Sequence, residues 1–304
     1  MKEIDVVGIG VNTIDQFFVV EHFPDREDVQ QAKCFKSEGG GPVATALVTL
    51  ARLGAKTIIL DCIGNDWIGN QILSGLRKEK VITDFIIIKN GFTSSLTSII
   101  VRENDGARTI IYLPGDSGDL SENDVNNDLI SKSKYIHING RHLSACLKAC
   151  KIAKEFNIKI SFDGGSYRYR EDLRKIVPLS DVCIVAKDFS EKYTFKLNIS
   201  EAANQFLLEG PEIVVITDGK NGSWLFTKDI NGFHQPAFEM LNVVDTTGCG
   251  DSFHGAFLYG LLNNYNLFES IRTASMVAAI NTLGLGGRTS LPTLTELQKF
   301  AAKY

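Results

Sequence analysis

The sequence contains no long hydrophobic run and no dense cluster of Lys or Arg. Its apolar stretches are short, as at residues 57–60, whereas a membrane-spanning helix needs roughly 20 consecutive apolar residues. The formal net charge is −4, and without a dense basic run we expect no nucleic acid as the main partner. Residues 1–5 carry acidic side chains where a signal peptide would be basic and then apolar. We therefore expect a cytoplasmic protein that works without a membrane.

Cysteine and proline are scarce, with 6 Cys and 7 Pro among 304 residues. No Cys-x-x-Cys motif occurs, and the chain is too large and too poor in cysteine to be a disulfide scaffold. Cys146 and Cys150 lie four residues apart on one helix face, but no second His or Cys pair completes a metal site. We interpret both as small buried helix residues and expect reduced thiols, as in the cytosol.

Hydrophobic residues make up 44% of the chain and charged residues 22%, the composition of a globular protein with a sizeable core. Short apolar runs alternate with segments of helical spacing, which is typical of a parallel sheet covered on both faces. The predicted strands are residues 4–11, 56–62, 135–138, 159–163, 182–186 and 213–217. The predicted helices are residues 42–53, 67–80, 144–157, 249–263, 267–281 and 294–302. We predict one α/β domain over residues 1–304, with a doubly wound, mostly parallel sheet and helices on both faces.

Two β-rich insertions, at about residues 16–37 and 92–113, interrupt this pattern. The second contains two predicted strands, 96–103 and 108–113, and the Asp105-Gly106 pair between them is a strong hairpin signal. Strands that leave an α/β core in this way can pair into a separate sheet. We predict a small β lid over the carboxyl edge of the main sheet.

Two common nucleotide motifs are incomplete. Gly8 and Gly10 follow the first strand, but Thr13 stands where a dinucleotide-binding G-x-G-x-x-G motif has its third glycine, and the next segment is strand-like. Gly219-Lys220 is followed by Asn221, so no Walker A sequence is present. An NAD-dependent oxidoreductase is therefore disfavoured, and a nicotinamide absorbance assay would test it.

The segment Val244-Asp245-Thr246-Thr247-Gly248-Cys249-Gly250-Asp251 precedes a long apolar helix. Its glycines allow successive N–H groups to point outward at the helix N-terminus, which favours an anion. Asp251 at the same turn would repel a phosphate unless it accepts a proton from an attacking hydroxyl. A simple helix cap is the other interpretation of Asp251.

A second glycine turn, Glu38-Gly39-Gly40-Gly41-Pro42, leads into the helix at 42–53. Backbone without side chains can approach a ligand closely, and Thr45 offers a hydroxyl one helical turn further on. Asp15, after the first strand, supplies a carboxylate. Carboxylates, amides and hydroxyls together can bind the vicinal hydroxyl groups of a polyol.

With these two turns the sequence resembles the ribokinase-like (PfkB-type) carbohydrate kinases over essentially its whole length. The D-T-x-G-x-G-D segment at 245–251 is highly specific to that family, and Thr217-Asp218-Gly219-Lys220-Asn221-Gly222 matches its nucleotide loop. The resemblance implies an α/β kinase domain with a β lid, which transfers the γ-phosphoryl of MgATP to a sugar hydroxyl.

The resemblance also implies roles for individual residues. Asp251 would be the catalytic base, and Gly248, Cys249 and Gly250 would form the anion hole. The sugar would be bound by Asp15, Gly40, Gly41 and Thr45. ATP would be bound by Lys187, Thr217, Gly219 and Gly222, together with Mg²⁺. Asp245, Thr247 and Ser290 fall where many members of the family bind a monovalent cation, K⁺.

The sequence departs from the family pattern at three positions. Cys249 replaces the usual Ala between the glycines, and a thiol at a helix N-terminus should have a lowered pKa and react with thiol reagents. Thr45 replaces an Asn at the sugar position. The family's Mg²⁺-linked N-x-x-E segment reads Lys187-Asp188-Phe189-Ser190, where Asp188 or Glu191 could substitute.

The segment around Arg141 resembles ketohexokinases, and the segments at 39–46 and 235–248 resemble bacterial sulfofructose kinases. An Arg at the sugar end fits an anionic or polyol tail, although it could equally form a structural salt bridge. A ketohexose or modified ketohexose is the predicted substrate. Ribose, 2-keto-3-deoxygluconate and nucleosides remain open, as does a non-catalytic sugar or nucleotide sensor.

The same insertions also predict how two copies of the chain associate. Apolar residues on the predicted lid strands, such as Leu96, Ile100 and Ile110, need to be covered. We expect a homodimer that forms through the lids, with closure over the bound sugar as the alternative.

Overall fold

A computed structural model describes residues 2–27 and 29–304. Residues 1 and 28, the second of which falls in the predicted insertion 16–37, lie outside the described residues. Within the described part there is no helix that combines the length and the apolarity needed to span a bilayer.

The strands and helices alternate along the chain, as the sequence predicts. The strands are β1 (Ile4–Ile9), β2 (Thr13–Val20), β3 (Cys34–Gly40), β4 (Thr57–Gly64), β5 (Ile86–Lys89), β6 (Leu96–Arg102), β7 (Arg108–Leu113), β8 (Ser133–Ile138), β9 (Lys159–Gly164), β10 (Val182–Ala186), β11 (Ile213–Thr217), β12 (Ser223–Phe226) and β13 (Asn231–Gln235). The helices are α1 (Pro42–Arg52), α2 (Trp67–Lys78), α3 (Asn127–Ser131), α4 (Leu143–Glu155), α5 (Lys187–Thr194), α6 (Ile199–Glu209), α7 (Cys249–Leu262), α8 (Leu267–Asn281) and α9 (Leu294–Ala301).

Nine strands form the main sheet in the order β13-β12-β11-β10-β9-β8-β1-β4-β5. The strands from β11 to β5 are parallel, and β12 and β13 join antiparallel at one edge. All eight residues of β4 are buried, because helices cover both faces of the sheet. One apolar core lies against α4, α5 and α6, and the other lies against α1, α2, α7, α8 and α9. The predicted doubly wound α/β class is confirmed.

The remaining strands form a separate four-stranded sheet in the order β3-β2-β6-β7, referred to below as the small sheet. The two predicted insertions thus pair with each other, since β2 and β6 run parallel from Ile14 opposite Leu96 to Val20 opposite Arg102. The strand bounds differ from the prediction. β2 begins at Thr13, before the predicted insertion 16–37, and β3 ends at Gly40, beyond it, because Thr13 and Gly40 pair across the sheet.

The helix ends follow ordinary capping chemistry. Asp66 caps α2 by accepting a hydrogen bond from the backbone N–H of Gly69 at 2.7 Å. Asn266 caps α8 in a reciprocal arrangement with Glu269. The start of α7 is different, since Gly248 precedes it with φ 72° and no side chain caps its N–H groups. The N–H of Cys249 makes a long hydrogen bond, 3.4 Å, to the carbonyl of Thr246, whereas those of Gly250 and Asp251 have no partner in the described structure and are available to a ligand.

Candidate active site

The turn before α7 is built around Gly248. A Cβ on Gly248 would lie 2.7 Å from the Cα of Gly287, so no larger residue fits there without a shift of the backbone. A Cβ on Gly250 would meet nothing within 4 Å, which means that open space faces the first turn of the helix. The turn therefore has N–H groups without a side-chain cap beside open space, as an anion site requires.

Asp251 stands in the first turn of α7 and faces a cation. Its Oδ1 lies 3.3 Å from Nη1 of Arg168, which is also 3.7 Å from Oδ2 of Asp163. Burial would lower the pKa of Arg168, but the carboxylates of Asp251 and Asp163 outweigh this effect and raise it. Arg168 comes from the loop after β9, so the carboxyl edge of the main sheet brings these residues together.

Asp245 organises the loop ahead of the turn. Its Oδ1 accepts hydrogen bonds from the backbone N and the Oγ1 of Thr247, both at 2.8 Å, and its Oδ2 accepts one from the N of Gly286 at 2.9 Å. The carboxylate is fully buried and has no cationic side chain as partner within residues 2–27 and 29–304. Ser290 lies in the same segment as Gly286, and a Cβ on Gly284 would lie 2.2 Å from its Oγ.

The predicted lowering of the Cys249 pKa is wrong. Burial raises the pKa of this thiol to about 12, which outweighs the positive end of the helix dipole and the nearby Arg108. The sulfur faces inward and lies 4.0 Å from Nδ2 of Asn281. Cys249 is thus a small residue in the turn with a protonated thiol at neutral pH.

The second glycine turn surrounds the carboxylate of Asp15. A Cβ on Gly40 would lie 2.0 Å from Oδ2 of Asp15, and a Cβ on Gly41, at φ 95°, would lie 2.3 Å from the carbonyl of Val11. Burial raises the pKa of Asp15 to about 6, against the hydrogen bond from Thr13 and the charge of Arg288, which lower it. The missing side chains make room for a carboxylate that is buried in the protein.

Arg288 connects this turn to α1. Its Nη2 donates to the carbonyl of Gly40 at 2.6 Å, and its Nε donates to Oγ1 of Thr45 at 3.2 Å. The backbone N of Arg288 donates to Oε1 of Glu38 at 2.9 Å. Arg288 itself is buried, with 6% of its surface exposed.

The two glycine turns meet through the segment that contains Gly287 and Arg288. Gly287 packs on Gly248 of the anion turn, while Arg288 reaches Gly40 and Thr45 of the second turn. The negative charges of Asp15 and Asp251 each favour the charged form of Arg288, and each also favours that of Arg168. Asp15 and Asp251 therefore face a common region at the carboxyl edge of the sheet.

The third predicted motif forms a closed loop after β11. Asp218 donates from its backbone N to the carbonyl of Gly222 at 2.9 Å, and its Oδ2 lies 3.2 Å from Nζ of Lys187. Gly219 has φ 51° and Gly222 has φ 91°, and a Cβ on Gly222 would lie 2.3 Å from the carbonyl of Gln235. Thr217 ends β11 at the same carboxyl edge as the other motifs.

The two acids considered for Mg²⁺ differ in their contacts. Asp188 accepts hydrogen bonds from Oγ of Ser166 at 2.6 Å and from the N of Tyr167 at 2.7 Å, so both of its oxygens are engaged. Glu191, on the next turn of α5, is half-buried, and its carboxylate has no hydrogen bond within the described part of the chain. Glu191 fits a water-bound Mg²⁺ better than Asp188 does.

Arg141 follows β8 at the same edge of the sheet. Its Nε is buried and makes no hydrogen bond to any described residue, and the nearest charge is Oδ1 of Asp119 at 3.5 Å. Its backbone N donates to Oδ1 of Asn139 at 3.1 Å, and a Cβ on Gly10 would lie 3.5 Å from that oxygen. Arg141 thus forms the structural ion pair considered as the alternative from the sequence, and an anionic or hydroxyl group at its Nε would compete with Asp119.

The small sheet contacts both loops of the site. The hairpin residue Gly106 packs against the backbone of Val244, and Arg108 donates from Nη1 to Oγ1 of Thr246. At the other end, Nζ of Lys36 donates to the carbonyl of Leu285 at 2.6 Å. The small sheet thus extends from the anion turn to the segment that contains Arg288.

Sequence reasoning missed two of the charged residues in this site. Arg168 lies in a loop with no recognisable motif, and Arg288 lies two residues before Ser290, the one residue of its segment that the family resemblance assigned to a site. The one available signal for Arg288 was its place after the glycines at 284, 286 and 287, where side chains are absent and a long one can reach inward.

Comparison with known proteins agrees with this geometry. Residues 1–294 match the pfkB family carbohydrate kinases. A 5-dehydro-2-deoxygluconokinase of Bacillus licheniformis is 27% identical over 99% of this chain and 97% of its own length. A fructokinase of Solanum tuberosum is 28% identical over 86% of this chain and 85% of its own length.

Solved structures show the same fold. A ribokinase of Arabidopsis thaliana, complexed with ribose and ATP, superposes with a TM-score of 0.82 at 21% identity, covering 97% of this chain and 98% of its own. A ribokinase of Thermotoga maritima superposes with a TM-score of 0.83 at 25% identity, covering 98% of this chain and 99% of its own. A protein from Escherichia coli assigned as ribokinase II, solved with ATP and Mg²⁺, has a TM-score of 0.86 at 22% identity and covers 99% of this chain and 100% of its own.

The fold and the glycine turns define a kinase of the ribokinase-like class. The chain belongs to the pfkB family of carbohydrate kinases. It is an ATP-dependent sugar kinase. The family excludes the NAD-dependent oxidoreductase considered from Gly8 and Gly10, and it favours an enzyme over a non-catalytic sensor.

Proposed function

We propose that this enzyme transfers the γ-phosphoryl group of ATP to a hydroxyl of a keto sugar, a ketohexose or a modified ketohexose. The observation that carries the proposal is the shared region between Asp251 and Asp15, joined through Gly287 and Arg288. A base at a phosphate-binding turn and a carboxylate at a polyol-binding turn are what such a transfer needs within one cleft.

In this proposal Asp251 accepts the proton of the sugar hydroxyl as that oxygen attacks the γ-phosphorus. The backbone N–H groups of Gly248, Cys249 and Gly250 stabilise the negative charge on the phosphoryl oxygens. Transfer is direct and in line, without a covalent enzyme intermediate. Arg168, which faces Asp251 at 3.3 Å, lies where it can pair with the phosphoryl group, leaving the carboxylate free to act as a base.

Sugar binding is assigned to the second turn. The carboxylate of Asp15 accepts hydrogen bonds from two sugar hydroxyls, and the sugar approaches the backbone at Gly40 and Gly41, where no side chain intervenes. Thr45 contributes its hydroxyl as an acceptor or donor. Its Oγ1 already accepts from Arg288, so its orientation is defined before the sugar binds.

The nucleotide is assigned to Lys187, Thr217, Gly219 and Gly222, where β10 and β11 end. Glu191 would hold the waters of Mg²⁺, whose chemistry is to neutralise charge on the β- and γ-phosphates. K⁺ is assigned to the loop of Asp245, Thr247 and Ser290. A buried carboxylate without a cationic partner in the described residues supports this assignment.

A second substrate class has support of its own. Arg141 has a buried Nε whose ion pair with Asp119, at 3.5 Å, is too long for a hydrogen bond, and a guanidinium binds a carboxylate well. Several relatives are named 5-dehydro-2-deoxygluconokinase, whose substrate name denotes a keto sugar acid. A keto sugar acid of this kind is therefore the alternative to a neutral ketohexose.

Nucleosides are a weaker alternative. Of the aromatic residues in the small sheet, Phe18 and Phe35 pack on each other with ring centroids 5.2 Å apart. Tyr112 is 44% exposed and lies 3.3 Å from Oγ of Ser95 through its hydroxyl. A clamp for a nucleobase would need an aromatic ring free to stack; Phe35 is 56% exposed but already packs on Phe18, and Tyr112 alone of the three has no aromatic contact with a described residue.

The decisive experiment measures ADP release with ATP and Mg²⁺ over a panel of sugars. The panel contains fructose, a sulfonated ketohexose, 5-dehydro-2-deoxygluconate, 2-keto-3-deoxygluconate, ribose and adenosine. The proposal expects the highest kcat/KM with a ketohexose or its modified form. Preference for a sugar acid, lost in Arg141→Gln, would establish the alternative, and preference for ribose or adenosine would overturn both.

We also propose that the small sheet is a lid on this site and that two copies associate through it in the cytoplasm. β7 supports the association, because all six of its residues are exposed and four of them are large and apolar. The six cysteines are all unpaired in the described part of the chain, which supports a reducing compartment.

A further inference from the structure

Three buried side chains meet behind the candidate base. His137 lies on β8, Asp163 on β9 and His254 on α7, and none of them is more than 4% exposed. One ring nitrogen from each histidine and one carboxylate oxygen of Asp163 lie within 4.8 Å of one another. This group, the His137–Asp163–His254 cluster, has no role in the proposed phosphoryl transfer.

Four polar atoms of the cluster are buried without a hydrogen-bond partner in the described structure. They are both oxygens of Asp163, Nε2 of His137 and Nδ1 of His254. Nε2 of His254 comes within 3.2 Å of Oδ1 of Asp163, but the two atoms are not aligned as a hydrogen bond. Leaving several such atoms unpaired in one place is costly, so a bound species that satisfies them would be stabilising.

Each histidine can offer the lone pair of a ring nitrogen to a metal ion. Nδ1 of His137 lies 3.1 Å from Oγ of Ser161, and a hydrogen bond donated there leaves the lone pair on Nε2. Both rings are buried, with 0% of His137 and 4% of His254 exposed, and burial favours the neutral imidazole that a metal ion binds. On the carboxylate, Arg168 lies 3.7 Å from Oδ2, while Oδ1 is the oxygen nearer to His254.

We propose that the His137–Asp163–His254 cluster binds one divalent first-row transition metal ion of the Zn²⁺ class. Two neutral imidazole nitrogens and one carboxylate oxygen are a donor set that Zn²⁺ and its neighbours prefer, whereas Mg²⁺ prefers oxygen ligands alone. Tetrahedral bonds of about 2.1 Å place ligand atoms about 3.4 Å apart, so ligand atoms that now lie within 4.8 Å of one another close by up to about 1.4 Å on binding.

The site would act by position, separately from the Mg²⁺ that accompanies ATP. His254 follows Asp251 by three residues, which is one turn of α7. A metal held by His254, His137 and Asp163 therefore fixes the first turn of α7 against β8 and β9. This inference does not depend on which sugar is phosphorylated, nor on the role assigned to Asp251.

The test uses the full chain purified without a polyhistidine tag. The protein is stripped with a chelator, dialysed and titrated with Co²⁺, and visible d–d absorption and metal content are measured. We expect saturation near one Co²⁺ per chain, the strong visible bands of a tetrahedral site, competition by Zn²⁺ and a higher Tm for the loaded protein. His137→Gln and His254→Gln should each lose the bands, whereas His22→Gln, at an exposed position, should keep them.

Asp163→Asn separates metal loss from misfolding. It removes a buried charge, so the stripped variant should unfold at the same or a higher temperature than the stripped wild type, yet fail to gain stability from Co²⁺. The proposal is overturned if the wild type shows neither bands nor a metal-dependent Tm. It is also overturned if His137→Gln and His254→Gln bind Co²⁺ as the wild type does. Kinase activity in the sugar panel is scored separately and decides neither result.

Discussion

Arg288 holds Thr45 and Gly40 in a fixed relation, with its Nε 3.2 Å from the threonine hydroxyl and its Nη2 2.6 Å from the glycine carbonyl. The two acceptors come from α1 and from the end of β3, and the donor comes from a segment after α8. Because the same segment packs Gly287 on Gly248, a single short stretch of chain aligns the proposed sugar turn with the proposed phosphate turn.

The first prediction concerns this alignment. Arg288→Lys keeps the charge but cannot make both hydrogen bonds, and Arg288→Met removes both. We expect the sugar KM to rise about 10-fold or more in Arg288→Lys and further in Arg288→Met, since hydrogen bonds from charged groups contribute about 1.5–3 kcal/mol. The KM for ATP should change little.

Steady-state kinetics with each substrate varied in turn measure this difference. A general loss of folding would lower the active fraction and leave both KM values unchanged, so thermal unfolding of each variant serves as the control. Equal increases in the KM for sugar and for ATP would contradict a role for Arg288 in positioning the sugar turn.

Asp251→Asn tests the proposed base. The amide keeps the shape and the helix start but cannot take the proton of the sugar hydroxyl, so kcat should fall by about 10²–10⁴-fold. Nucleotide affinity should remain within a few-fold of the wild type, because the N–H groups of Gly248 to Gly250 are unchanged. Isothermal titration with an ATP analogue and single-turnover assays measure the two quantities, and kcat within 10-fold of the wild type would exclude the role.

We expect the ionised carboxylate of Asp15 to bind the sugar and to lower the stability of the fold. Burial raises its pKa to about 6, above the ordinary value of 3.8, so the folded state favours the protonated form. A raised pKa gives a contribution to stability that is complete below pH 4 and is lost as the pH rises through about 6. At pH 8, the free energy of unfolding of Asp15→Asn should therefore exceed that of the wild type by up to roughly 3 kcal/mol. At pH 4 the two should differ little.

The same substitution should abolish sugar binding, since a neutral amide cannot replace the carboxylate acceptor. In the wild type, kcat/KM for the sugar should rise from pH 5 to pH 7 with an apparent pKa near 6, as Asp15 ionises. Chemical denaturation at the two pH values and a pH profile provide the measurements. A stability difference that is the same at pH 4 and pH 8 would show that the Asp15 charge is not the cause.

Sequence patterns were sufficient for the parts of the molecule that local chemistry determines. The buried runs at β10 and β11 and the helix α8 fall at the predicted residues, because continuous apolar runs and helical spacing are local signals. The strands β5, β12 and β13 were missed. They are short strands at or near the sheet edges, and their pairing with neighbours, rather than their composition, makes them strands.

In the candidate site, too, some residues follow from local sequence signals and others only from the tertiary structure. Gly248, Asp251, Gly40 and Asp15 lie in motifs whose glycines and acids can be recognised along the chain. Arg168 reaches Asp251 across 83 residues of sequence, a distance at which only the folded sheet edge brings two side chains together. The pKa of Cys249 was misjudged for a related reason, since the helix dipole is local but burial depends on the tertiary structure.

Cys249 should be inert toward alkylation. With a pKa raised to about 12, roughly one thiol in ten thousand is ionised at pH 8, and only the thiolate reacts. We expect iodoacetamide to modify Cys34, the exposed cysteine, first and without loss of activity. Mass spectrometry of peptides over time measures this, with Cys34→Ser as the control. Rapid modification of Cys249, with inactivation prevented by ATP, would instead show that the dipole outweighs burial.

The last prediction concerns β7, whose exposed apolar residues include Ile111 at 60% and Leu113 at 60% exposure. β7 is also an edge strand of the small sheet, so its outer N–H and C=O groups are free to pair with another strand. If two copies associate here, Ile111→Lys should place a charge in the interface and shift the protein from dimer to monomer. Leu208→Lys, at an exposed leucine of α6, provides the matched control and should leave the mass unchanged.

Light scattering across a range of protein concentrations measures the mass of each variant. Dimerisation through β7 also holds the two small sheets in place, so the Ile111→Lys monomer should have a higher sugar KM than the Leu208→Lys variant, while kcat at saturation changes less. A wild type that remains monomeric at all concentrations would assign the exposed face of β7 to closure over the sugar instead. In that case Ile111→Lys should still raise the sugar KM, and the mass measurement distinguishes the two explanations.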